Sequence, residues 1–148
     1  MKYPEVYDLS CKFSPPKIDL RKAEILDSYG DDSYAKLPIN HNQPENVKRE
    51  EFDYYGWVYP FMEVEDLLFY FYAILIEYEK DKGLDCIDSF MYSMDRVILG
   101  LQNSLKVQDL EALKQGFIRI WEIGGDGYAD WYQCPNLQKF IGISVPYI

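Results

Sequence analysis

Proline placement constrains this chain more than any other feature. Six of its eight prolines stand at or before Pro60, and the next one is Pro135. A proline inside a helix removes a backbone donor and clashes with the preceding turn. Residues 61–134 are therefore the stretch in which long helices can run uninterrupted, and they carry the expected helical core.

Periodicity divides that stretch into three. Over residues 62–82, Val64, Leu67, Leu68, Phe71, Leu75 and Tyr78 recur at helical spacing, while Phe69, Tyr70, Ala73, Ile74 and Ile76 make the other side apolar too. A helix apolar all round is a buried one. Glu63, Glu65 and Asp66 suit the positive end of its dipole, and Gly83 suits its stop. A second helix is predicted from Asp85, as cap, with a stripe through Ile87, Phe90, Met91, Met94, Val97, Ile98, Leu101 and Leu105. A third follows over residues 106–123, with Leu110, Leu113, Phe117, Ile120 and Trp121 on one face. Short connections imply antiparallel neighbours. Gly100 and Gly116 interrupt the last two patterns, for close helix approach or for local flexibility.

The ends read differently. Residues 1–19 alternate in part and then meet Pro15 and Pro16, which predicts an extended segment. Residues 20–28 suit a short helix before Gly30, and Pro44 suits the first position of another that runs to Gly56. The tail "KFIGISVPYI" is apolar and β-branched, which predicts a short strand or an extended strip over residues 133–148. The expected fold is mainly α: a single-domain helical bundle of about four to five helices, residues 1–148, with extended N- and C-terminal segments and a helical core at 62–123. With 148 residues and 48% apolar side chains, such a domain can bury a core without disulfides or metal.

Charge narrows the function. The formal net charge is −10, and residues 61–148 hold 14 acidic side chains against 7 basic. Phosphate contacts and anionic membrane surfaces both need clustered Lys and Arg, so neither nucleic acid nor membrane is an expected partner. A basic protein partner is the electrostatic complement. The longest apolar run, "LLFYFYAILI", is too short for a membrane span, and the start "MKYPEVYDLS" lacks the apolar run of a signal peptide. Cys11, Cys86 and Cys134 are scattered and odd in number, which suits free thiols in a reducing compartment, the cytoplasm.

No enzyme motif stands out. The one histidine, His41, lies in the loop "PINHNQP" and is expected to be solvated. There is no Cys/His cluster, no phosphate loop and no nucleophile elbow, so no catalytic residue, metal or cofactor is assigned. Two segments do carry binding chemistry. "WEIGGDGYADWY" ends a helix at Gly124 and then interleaves Asp126, Tyr128, Asp130, Trp131 and Tyr132, with no basic residue from 120 to 138. It lacks the ligand spacing of a calcium loop. "FDYYGWVYPF" has six aromatics in ten residues, with Glu50, Glu51 and Asp53 on one side and Glu63, Glu65 and Asp66 on the other. Tyr and Trp are the usual interface anchors. Partner-facing positions are therefore predicted at Asp126, Tyr128, Asp130, Trp131 and Tyr132, and at Glu50, Asp53, Tyr55 and Trp57. Trp121 is predicted to anchor the helix end in the core.

In general character the chain resembles toxin-immunity proteins, which are small, acidic, aromatic-rich and poor in motifs. That likeness implies an inhibitor that neutralises a basic, nuclease-like toxin by protein–protein contact. The alternatives are a DNA mimic that inhibits a nucleic-acid-binding enzyme, which the lysines Lys80 and Lys82 disfavour, and a motif-less enzyme or small-ligand binder.

Overall fold

The computed structural model describes residues 1–146, and its regular structure is all helical, with no strand among them. Seven helices follow in order: α1 (Pro4–Cys11), α2 (Leu20–Asp27), α3 (Arg49–Tyr54), α4 (Val64–Lys80), α5 (Ile87–Ser104), α6 (Val107–Gly124) and α7 (Pro135–Ile141). Single 3-10 turns stand at Pro44–Asn46, Tyr59–Phe61 and Trp131–Gln133. The expected bundle is thus observed, with its three long helices inside 62–124.

α4 is the axis. Every residue from Leu67 to Leu75 is buried, as its all-round apolar sequence requires. α5 and α6 both pack on it, α1 lies against α4 and α6, and α7 crosses α5 and α6. At the centre Phe71 stacks on Phe90 and leans on Phe117, with centroids 6.0 and 4.8 Å apart. Gly116 makes this possible: a Cβ there would lie 2.5 Å from Phe71 Cζ. The close-approach explanation holds for Gly116. It does not hold for Gly100, around which a Cβ would meet nothing within 4 Å.

The terminal segments differ from the expected extended form. Residues 4–11 and 135–141 are helices α1 and α7, both with proline in the first turn. There the missing N–H is no loss, because the first amides of a helix lack an intrahelical acceptor in any case. α1 is fixed by Ser10, whose hydroxyl donates to Leu68 C=O at 2.7 Å and accepts from Tyr72 N–H at 3.1 Å. α7 is fixed by the buried Asp95 of α5, which accepts the Leu137 N–H at 2.9 Å. Residues 142–146 carry no helix, and Ile143 and Val145 pack against the core as the predicted C-terminal strip would; Tyr147 and Ile148 lie outside the described residues.

The helix predicted from Pro44 to Gly56 is divided into a 3-10 turn and α3. α5 begins at Ile87, with Cys86 and not Asp85 at the cap position. Leu84 and Cys86 are both buried, so the chain dives into the core before the helix starts and leaves Asp85 on the surface.

Candidate functional site: an acidic aromatic groove

The exposed part of the aromatic segment 52–61 and the loop after α6 meet. Trp57 and Tyr128, 64% and 56% exposed, line one groove of about 340 Å³. Its other walls come from the α4–α5 connection, with Lys82 and Asp85, and from Asp88 in the first turn of α5. α4 ends after Lys80 with an extended Asp81, and Gly83 N–H donates to Asp81 Oδ1 at 2.9 Å, which turns the chain back toward Trp57. On the opposite side α6 stops at Gly124, and Gly125, at φ +58°, releases the chain into 126–130. Lys82 Nζ lies 5.2 Å from the centroid of the Tyr128 ring, a cation–π distance.

The acids are held differently from one another. Asp88 Oδ1 accepts the Asp130 N–H at 2.9 Å. Burial raises the Asp88 carboxyl above its ordinary value, opposed by that hydrogen bond, with the Asp130 charge adding to the rise. Asp85 and Asp126 are exposed. Beneath the loop, the buried Tyr78 hydroxyl has no hydrogen-bond partner. A Cβ on Gly124 would sit 2.0 Å from it, so only glycine fits above that oxygen. Burial pushes the Tyr78 phenol up to about 12, with the Asp88 and Tyr128 charges contributing.

Two of the predicted partner-facing residues are not on the surface. Trp131 is fully buried, edge-on to Trp121 with centroids 5.7 Å apart. The 3-10 turn at Trp131–Gln133 folds the indole inward, while Trp121 is left half-buried at the rim. Trp131 is thus the sealed anchor, contrary to the surface position expected, while Trp121 packs against the core only in part. Tyr55 is also core, 1% exposed, and its hydroxyl donates to Leu37 C=O. Asp130 is half-buried and accepts from the Tyr92 hydroxyl, so its carboxylate braces the loop. Tyr132 is 44% exposed. Glu50 is exposed but lines a separate pocket, with His41 and Glu51. Asp53 is exposed and paired with Arg49 at 2.9 Å, and Arg49 also reaches Asp81 at 3.2 Å. The structure thus brings Trp57 and Tyr128 together and adds Lys82, Asp85 and Asp88. Their shared location leaves no sequence signal beyond the acids at both ends of the α4–α5 connection.

His41 is buried, contrary to the solvated position expected for a loop histidine. Its Nδ1 lies 3.1 and 3.2 Å from the two carboxylate oxygens of Glu51, and its Nε2 lies 2.7 Å from the Tyr70 hydroxyl. Tyr70 Oη in turn accepts the Leu20 N–H at 3.1 Å. Carboxylate, imidazole and hydroxyl in series resemble a proton relay, but the imidazole side chain has no solvent exposure. In this geometry the series ties a loop to α2, α3 and α4. The Cys86 and Cys134 thiols are buried as well, and desolvation pushes both up to about 12, which leaves them weak nucleophiles.

Among the described residues no group of His, Cys, Asp and Glu side chains is placed to hold a metal ion, and no helix is long and apolar enough to cross a membrane. No family model matches the chain, and no curated protein or solved structure is significantly similar to it.

Proposed function

We propose that the protein is a small acidic binding protein of the cytoplasm that neutralises a basic protein by direct contact, as inhibitor or immunity proteins do. A nuclease-like toxin domain is the kind of partner its charge suits. The observation that carries the reading is the meeting of Trp57 and Tyr128 in one groove bordered by Asp85 and Asp88. Large exposed aromatics flanked by acids supply what a basic partner needs, apolar anchors at the centre and opposite charge around them. The net charge of −10 favours encounter with a cationic surface and rejects anionic competitors.

A DNA mimic fits less well. Such a protein needs unpaired carboxylates in a phosphate-like row, and Arg49 neutralises Asp53 and Asp81 beside the groove. The reading is tested by affinity capture from the native host followed by reconstitution with purified components. One basic protein should bind stoichiometrically, and Trp57→Ala or Tyr128→Ala should each weaken the complex by about 1–3 kcal/mol. Undiminished binding by both variants would overturn the assignment of this groove.

A further inference from the structure

We infer that the groove is a receptor for a single arginine side chain, which enters between Trp57 and Tyr128, meets Asp85 and Asp88, and displaces Lys82 from the tyrosine ring. The inference rests on the binding role proposed above and specifies the chemistry of the residue that is bound.

Lys82 is the first argument. Its ammonium lies over the Tyr128 ring at 5.2 Å and is paired with no carboxylate among the described residues. The chain's own cation therefore marks the place where a positive charge is favoured, and it is held there by one exposed contact. Such a contact is worth little and is readily exchanged. A lysine on a flexible stem can leave the ring without disturbing the fold.

The second argument is unmet charge. Asp85 is exposed and in no ion pair among the described residues, and Asp88 has one oxygen engaged by the Asp130 N–H. Asp88 is half-buried at the groove wall, where a carboxylate without a counter-ion costs most. The groove thus presents carboxylate oxygens that no cation of the described residues pairs.

Arginine fits this combination better than lysine. A guanidinium is flat, stacks on aromatic faces and presents several donors in a fixed fork, so it can touch two rings and two carboxylates at once. An ammonium is compact and strongly hydrated, and Lys82 already supplies one. A groove of about 340 Å³ accommodates one long side chain, and its acids repel the phosphates of a nucleotide.

The test is a titration of the whole, isotope-labelled protein with N-acetyl-arginine methylamide, monitored by NMR at the Trp57 indole and at the Asp85 and Tyr128 amides. N-acetyl-lysine methylamide and the neutral isostere N-acetyl-citrulline methylamide serve as competing probes. Saturable shifts confined to those positions, in the order arginine, lysine, citrulline, are expected. Lys82→Met should strengthen arginine binding by about two- to fivefold, the worth of one exposed cation–π contact. Lys80→Met, which removes the same charge two residues away, should change it less. Tyr128→Leu and Asp85→Asn should each weaken it by a similar factor. Equal binding of arginine and citrulline, shifts spread over the acidic surface, or equal effects of Lys82→Met and Lys80→Met would each overturn the inference. If the basic partner depends on Trp57 and Tyr128 while the probes fail to discriminate, the binding role stands and the arginine receptor falls. If the probes discriminate but the partner binds without these rings, the arginine receptor stands and the partner interface lies elsewhere.

Discussion

Trp131 is the largest side chain that the fold seals completely, and its indole N–H has no acceptor. Both facts bear on what its replacement costs. Trp131→Ala removes a fully packed ring and should destabilise the protein by about 3–5 kcal/mol in urea unfolding. Trp131→Phe keeps an aromatic edge against Trp121 and sheds the orphaned donor, so it should cost clearly less. Trp121→Ala empties a half-buried site and should cost less than Trp131→Ala; the reverse order would contradict the burial described. Asp88 gives a prediction of opposite sign. Burial raises its folded-state pKa above the ordinary 3.8, so its ionised form opposes folding at neutral pH. That penalty is absent below 3.8, where both states are protonated, and grows as pH rises through the folded value. Asp88→Asn keeps a carbonyl for the Asp130 N–H and loses the charge. It should raise the melting temperature at pH 7 and lose that advantage as the pH is brought below 3.8. An advantage independent of pH would show that charge is not the cause. A carboxylate that costs stability is easier to understand where it serves binding, which is the role proposed for it.

Gly100 in α5 and Gly116 in α6 look alike in the sequence, each a glycine inside an apolar stripe, yet their surroundings differ. At Gly116 a methyl group would meet Phe71 Cζ at 2.5 Å and Cε2 at 2.6 Å, and that ring is held between Phe90 and Phe117. Gly116→Ala should therefore destabilise by about 1–3 kcal/mol, the overpacking cost exceeding the helix-propensity gain of about 1 kcal/mol. Gly100→Ala meets nothing and should stabilise by up to about 1 kcal/mol. Thermal unfolding of the two variants decides it, since flexibility as the common reason would give shifts of the same sign. The contrast also explains what was legible at this scale. The apolar stripes of α4, α5 and α6 are local patterns, and they located those helices to within a few residues. Phe71 lies far from Gly116 in the chain, and no local pattern records that contact. Pro4 and Pro135 were ambiguous for a different reason, because the residue that breaks a helix interior also starts a helix well. What settles the matter at each end is distant: Leu68 and Tyr72 for α1, Asp95 for α7. In the groove, Trp57 and Tyr128 were legible as exposed aromatics among acids. Trp131 and Tyr55 were not separable from them, because tyrosine and tryptophan serve core and surface equally.

For the molecule as a whole, the least regular region is residues 28–43, which link α2 to the 3-10 turn at Pro44–Asn46 and contain no helix. So long a connection stays ordered only if side chains from elsewhere hold it. Arg21 Nε donates to Ala35 C=O at 2.9 Å, the Tyr54 hydroxyl accepts the Lys36 N–H at 3.3 Å, and Tyr55 donates to Leu37 C=O. The fourth tie is His41, and of these ties it alone hydrogen-bonds to the axis helix. With a proton on Nδ1 the imidazole donates to Glu51, its Nε2 faces the Tyr70 hydroxyl, and Tyr70 Oη accepts the Leu20 N–H. His41→Ala leaves a buried carboxylate and a buried hydroxyl short of partners, at about 1–3 kcal/mol each. Where that loss is felt separates two pictures of the fold. If the loop is a covering that opens independently, hydrogen exchange should quicken in residues 28–47 while α4 keeps its protection. If His41 is a structural member, its removal uncovers Tyr70, Phe69 and Phe52, against which the imidazole and the Tyr70 ring are packed. Protection of α4 amides should then fall by the same free energy as the global stability measured by urea. The second result is expected, because the His41 series joins the loop to α2, α3 and α4 at once and is its one hydrogen-bonded link to α4 among the described residues. Unchanged α4 protection in a His41→Ala protein that has lost its loop protection would show the first picture to be right.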